Sequence, residues 1–267
     1  MRQSALQEIQ DTVRQYARII SQAIKVDVEI VDNCLVRIAG TGIYQDRINE
    51  DMSEEGFVYR QVLTTGEPQV IQTPGEHPLC ALCPKHGCCS EEMEMCTPIK
   101  LSGEMIGVIG LICSTPEQKQ NLLGDFETYR EFLQQIAEFI SAKVYVQREN
   151  ERYQAMMQLL NQVINSVDKG VLVLDSCGRI AHSNSTAVRQ LQLNQDRMNQ
   201  TIRIQATGDS LLGAEEYKVT VGDTTFKLMG EMLSVAAGLA PYDKIFIYNE
   251  LKDVKSDIYG LTNVATK

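Results

Sequence analysis

The spacing of apolar residues between Phe132 and Val167 limits how this chain can fold more than any other feature. Phe132, Ile136, Phe139, Lys143, Val146, Asn150, Tyr153, Met157, Leu160, Ile164 and Val167 follow at alternating intervals of four and three. That is the heptad period of a helix with one face turned toward another helix, interrupted at Lys143 and Asn150. At 1.5 Å per residue such a helix runs roughly 50 Å, longer than one domain face requires. The stretches on either side are therefore expected to fold separately. Two amphipathic helices parted near Gln147–Asn150 would give the same spacing. A continuous helix paired in parallel with a second copy also accounts for Asn150, because a buried seam Asn fixes register.

Before the helix the period alternates. An opening helical stripe (Leu6, Ile9, Val13, Tyr16, Ile20) leads to strands Val26–Val31 and Leu35–Ala39 around Asp32-Asn33, a pair suited to a tight turn. A polar, helical stretch from Asp46 to Thr65 follows, then strands Cys96–Ile99 and Ile106–Cys113. The fold class is α+β, an antiparallel sheet with helices on one side. After the helix come strands Gly170–Asp175 and Arg179–Asn184, a short helix at Thr186–Leu193, and strands Tyr217–Val221, Thr225–Met232 and Lys244–Asn249. This predicts a second α+β unit with a five-stranded sheet. The expected bounds are 1–145 for the first domain, 126–167 for the connecting helix, 152–253 for the second domain and 254–267 for a polar linker.

Five of the eight cysteines fall in HPLCALCPKHGCCSEEMEMCTPI, residues 77–96 and just beyond. The N-terminus is too polar for a signal peptide and no apolar run spans a bilayer, so the expected setting is cytoplasmic and the thiols reduced. Thiols at this density then point to a soft metal. Cys80-x-x-Cys83 brings two sulfurs to one centre, and Cys96 offers a ligand from the start of a strand. Cys88 and Cys89 are adjacent and cannot readily point the same way, so one of them completes the set. Such a set holds [4Fe–4S], [2Fe–2S] or tetrahedral zinc; without metal, low-pKa thiols would be the switch. His77 and His86 flank the ligands and read as solvated. Cys34 and Cys113 read as buried strand residues, and Cys177 as an exposed turn residue. Met156-Met157 reads as core or seam. His182 and Asn184 read as closing a hairpin, and Arg37, Tyr44 and Arg60 as candidate ligand contacts. A net charge of −10 leaves no basic footprint, which argues against direct contact with nucleic acid or anionic lipid.

The segment CTPIKLSGEMIGVIGLICS, followed by a long helix, resembles the closing strands of a GAF domain. GVLVLDSCGRIAHSN resembles the opening hairpin of a PAS domain, with its Asp175-x-x-Gly178 turn and Asn184. In this order, with a Cys-rich insertion, the chain resembles the sensory half of sigma-54-dependent transcriptional activators from anaerobic bacteria. That resemblance implies Cys89 rather than Cys88 as ligand, giving the set Cys80, Cys83, Cys89 and Cys96. It implies an iron–sulfur cluster, [4Fe–4S] ahead of [2Fe–2S], with zinc as the alternative. It also implies a sensor of redox state, oxygen or a small molecule, acting as a homodimer through the helix. The partner would be an AAA+ output domain or the transcription machinery, in cis or in trans. No G-x-x-x-x-G-K-[ST] phosphate loop occurs in this sequence, so no ATPase is expected within it, and ELKDVKSDIYGLTNVATK resembles a connector toward one. Two alternatives stay open. One is a metabolite sensor with structural zinc. The other is a thiol-dependent reductase similar to GAF-fold methionine sulfoxide reductases, using Cys83 with Cys88 or Cys89.

Overall fold

In the computed structural model, which describes residues 3–193, 201–211, 213–236 and 241–250, the chain divides into two units, Met1–Arg152 and Tyr153–Lys267. The expected linker at 254–267 lies outside the described residues. No helix of the described residues is long and apolar enough to cross a membrane.

The first unit runs α1 (Gln10–Ile24), β1 (Asp27–Asp32), β2 (Arg37–Gly40), α2 (Phe57–Thr65), β3 (Gln69–Ile71), β4 (Met93–Leu101), β5 (Glu104–Cys113), α3 (Pro116–Gly124) and the start of α4 (Phe126–Ser166). Its sheet is antiparallel in the order β2-β1-β5-β4-β3. Every residue of β1 is buried, and β4 and β5 are nearly so, which requires cover on both faces. One face carries Val28, Ile30, Met93, Met95, Ile109 and Leu111 against Val13 and Ala17 of α1 and Leu133, Ala137, Ile140 and Val144 of α4. On the other, Val31, Cys96 and Val108 meet Val58, Tyr59 and Val62 of α2. Helices thus cover both faces of the sheet, not one as the sequence suggested.

Two local expectations are corrected. The stretch 46–56 is not helical, because its backbone groups are spent beside β2. Arg37 N donates to Glu50 O, Asn49 N to Arg37 O, and Met52 N to Leu35 O. Cys34 is exposed in the β1–β2 turn rather than buried on a strand, whereas Cys113 is buried on β5. The heptad seam also lies one residue away from the buried stripe of α4. Leu133, Ala137, Ile140 and Val144 face the core. Phe139, Val146, Tyr153, Met157 and Leu160 are exposed on an adjoining stripe, with Tyr16 against Phe139 at 5.2 Å between ring centres.

The second unit comprises β6 (Gly170–Asp175), β7 (Ile180–Ser183), α5 (Ser185–Gln190), β8 (Ile202–Leu211), β9 (Ala214–Val221), β10 (Thr224–Ser234) and β11 (Tyr242–Glu250). The sheet order is β7-β6-β11-β10-β9-β8, six strands where five were expected. The addition, β8, is an edge strand with most side chains in solvent, so it lacks the apolar alternation that marks a strand. With β8 set aside, the order repeats that of the first sheet: second strand, first, last, fourth, third. Asn184 is fully buried and N-caps α5, its Oδ1 accepting from Val171 N and Ala187 N and its Nδ2 donating to Ile164 O and Lys169 O. Cys177 is exposed in the β6–β7 turn.

Candidate functional site

The site is built on the α2 face of the first sheet. Glu29 of β1 lies opposite Gly110 of β5, which lies opposite Cys96 of β4, so all three share a row and a face. Gly110 is required there: a Cβ would come within 2.8 Å of the Tyr59 hydroxyl. Without it, Tyr59 lies over the sheet and donates to Glu29 Oε2 at 2.5 Å. The other Glu29 oxygen accepts from Arg37 Nε, and both side chains are almost wholly buried. Arg37 Nη1 donates to Glu50 Oε2 and to Arg47 O, each at 3.1 Å. The Arg37 guanidinium lies 4.6 Å from the centre of the Tyr44 ring, and the Tyr44 hydroxyl donates to Glu91. Glu94, two residues before Cys96 on the same face, has its Oε1 buried with no hydrogen-bond partner.

The Cys-rich loop closes over this floor as a series of tight turns. His77 Nδ1 accepts from Leu79 N and caps the 3-10 turn Pro78–Cys80. Cys83 N then donates to Cys80 O, and His86 N to Cys83 O. Lys85 is tied to Glu55 at 2.7 Å, while Gly75, at φ +87°, leaves space that a Cβ would take from Cys89. The result is a cavity of about 50 Å³ with Cys80, Cys83 and Cys89 on the loop side and Glu29, Glu91 and Glu94 among the groups facing them. That is several times the roughly 10–15 Å³ one water needs.

Of the residues singled out in the sequence, Cys80, Cys83, Cys89, Arg37 and Tyr44 meet at this cavity. Cys96 is buried behind its wall, its Sγ 3.7 Å from Gln69 O. Cys88 and His86 are exposed, and Arg60 points away, over the Phe57 ring. Among the described residues no three His, Cys, Asp or Glu side chains converge closely enough to hold one metal ion. The donor set suits a soft metal in kind; the sulfurs as placed are gathered but not convergent. The carboxylates were missed in the sequence. Their signal was a Glu at the inward parity of otherwise apolar strands, in DVEIVD and MEMC.

Electrostatics follow from burial. Desolvation pushes the Glu91 carboxyl up to about 7, against the pull of the Tyr44 hydroxyl. Burial, then the neighbouring Glu91 and Glu29, drives Glu94 well above the ordinary carboxylate range. Burial by itself would lower the Arg37 pKa, and Glu29 more than reverses this. Burial also raises the thiols of Cys80, Cys89 and Cys96. That is opposite to the low pKa expected of a nucleophilic or redox-switching cysteine.

Residues 4–144 match the model of the GAF domain, and this chain belongs to the GAF domain family. It is also similar to a protein of Escherichia coli (strain K12) described as a uric acid sigma-54-dependent transcriptional regulator, UacR, with 30% identity over 197 residues. That match takes in 73% of this chain and 33% of the relative, so the chain spans about a third of the relative's length. In fold it is similar to a chain of the E. coli DhaR(N)–DhaL complex, with a TM-score of 0.58 at 13% identity over 92% of this chain and 86% of that one.

Proposed function

We propose that this chain is the signal-input region of a sigma-54-dependent transcriptional regulator and that the signal is read at the thiol-lined cavity of its GAF domain. One observation carries the reading: Cys80, Cys83 and Cys89, scattered along a loop, line a single cavity on the GAF sheet. These three, with Cys96 as the fourth, would hold an iron–sulfur cluster, [4Fe–4S] ahead of [2Fe–2S], with zinc as the alternative. When bound, a cluster supplies a centre whose charge and integrity depend on redox state and oxygen. The chain's own residues do the rest. Cys80, Cys89 and Cys96, held protonated by burial, would each release a proton on ligation, and Cys96 would give up its contact with Gln69 O. The Lys85–Glu55 pair ties the loop to the domain, so a rearranged loop would be felt at Glu55 beside α2.

The second unit is read as a PAS domain, supported by its hairpin motif and strand order. An AAA+ output domain or the transcription machinery, in cis or in trans, is the partner this reading implies. The exposed stripe Phe139, Val146, Tyr153, Met157 and Leu160 on α4 supports pairing with a second copy. Sedimentation velocity at micromolar concentration is expected to return a dimer; a monomer would rule out the helical seam. Against the reductase reading, burial raises the thiol of Cys89, one of the two candidate partners of Cys83, which makes it a poorer nucleophile.

Cysteine variants test the metal reading. Anaerobically purified Cys89→Ser protein is expected to lose most of its iron and sulfide, while Cys88→Ser keeps both. Equal retention in the two variants would count against Cys89 as a ligand.

A further inference from the structure

The chain that follows β2 serves two places in the first unit. Gly42–Tyr44 form a 3-10 turn, and Tyr44 reaches the thiol cavity, while the residues around it close a separate groove against α1. The groove measures about 480 Å³, a size at which small molecules are commonly held, and it shares no lining residue with the cavity. Its loop wall is fixed in two ways. Thr41 Oγ1 accepts from Val28 N, and Gly42, at φ +53°, has no room for a Cβ beside the Asp27 carboxylate. The helix wall carries Arg14 and Arg18, one turn apart and next to the buried stripe of Val13, Ala17 and Ile20.

These two arginines stand apart in the charge pattern of the unit. Arg37, Arg47, Arg130, Arg148 and Arg152 are paired with carboxylates, and Arg60 donates to Ser53 O. Arg14 and Arg18 have neither an ion pair nor a hydrogen bond among the described residues, although the chain carries a net charge of −10. Like charges four residues apart on a helix repel, so the pair gains from an anion that both can meet. The acid on the wall, Asp46, is in ion-pair reach of neither among the described residues. Asp27, behind Gly42, accepts from the Ser114 hydroxyl.

We infer that this groove binds a small oxyanion, a carboxylate or a phosphate, and that Arg14 and Arg18 hold it. The planar fork of a guanidinium matches two oxygens of either group, and Gln22 and Gln45 on the same walls supply neutral donors. The site is distinct from the thiol cavity and holds whether or not the cysteines carry metal.

The test is calorimetric titration of the full chain at low ionic strength with inorganic phosphate, succinate and hexaglutamate, in protein as purified and in metal-free protein. Phosphate, succinate or both are expected to bind in each preparation, and to compete where both bind. Arg14→Gln and Arg18→Gln are each expected to weaken binding by roughly 3- to 10-fold, the effect of one partly solvated charge-assisted contact. Their thermal midpoints without ligand should not fall, because glutamine suits an exposed helix position about as well as arginine. Arg130→Gln makes the same charge change on α4 and should leave binding as it was. Binding by one small anion alone supports the inference and tells carboxylate from phosphate. Absence of binding by both at millimolar concentration would overturn it, as would undiminished binding in the Arg14 and Arg18 variants. Equal weakening in Arg130→Gln would reduce the effect to net charge, and loss of binding on metal removal would place the anion on the metal; either contradicts the site. Binding of hexaglutamate with neither small anion would overturn it in favour of an acidic protein segment.

Discussion

Arg37→Met is expected to destabilise the GAF unit by about 3–5 kcal/mol, the usual cost of stranding one member of a buried ion pair. Arg37 is 1% exposed and the Glu29 side chain 2%, so neither charge is relieved by water. Methionine fills much of the volume but leaves Glu29 with only the Tyr59 hydroxyl, and it frees the Glu50 and Arg47 contacts that hold residues 46–56 beside β2. The double variant Arg37→Met/Glu29→Gln should recover more than half of the loss. The stranded charge is then gone, while the amide oxygen that replaces the carboxylate can still accept from Tyr59. Hydrogen exchange at the β1 and β5 amides reads the effect in this unit separately from the other. A loss below about 1 kcal/mol in the single variant would show that Glu29 is neutralised or hydrated some other way.

In the second unit the largest effect is expected at Asn184. Its fully buried side chain makes four hydrogen bonds, joining the end of α4, Lys169, β6 and the start of α5. Alanine removes the helix cap, worth about 0.5–2 kcal/mol, and orphans two N–H and two C=O groups. The expected total is about 3–5 kcal/mol, since such losses are not additive within one network. Asn184→Asp keeps the two bonds accepted from Val171 and Ala187 and loses the two donated to carbonyls. It should therefore protect the first turn of α5 better than alanine while releasing Ile164 and Lys169. Exchange rates at α5 and β6 that are unchanged in Asn184→Ala would remove Asn184 as the joint.

The sequence made some of this legible and hid the rest for identifiable reasons. The hairpins β1–β2, β4–β5 and β6–β7 follow from alternation broken by turn residues. Strands β3 and β8 do not, because one is three residues long and the other is mostly solvated. On α4, Leu133, Ala137, Ile140 and Val144 run beside Phe132, Ile136 and Phe139 with the same period, so spacing alone cannot say which stripe faces the domain. Likewise, thiol density marked the loop side of the cavity, but its floor is made of glutamates. Residues such as Glu29 and Glu94 look solvated until pairing shows them on the same inward face as Gly110 and Cys96. Alternation within β4, where Met93 and Met95 face one core and Glu94 and Cys96 the other side, is the local pattern that marks them.

The measurement that bears most directly on the cavity as a metal-based input site is the absorption spectrum of anaerobically purified protein, taken with its iron, sulfide and zinc content. The expected result is a broad band at about 400 nm from thiolate-bound iron, with matched iron and sulfide, both lost on exposure to air. Colourless protein with stoichiometric zinc would make the cysteine loop structural and shift the search for the signal away from it. Protein free of both metals would contradict the proposed centre outright.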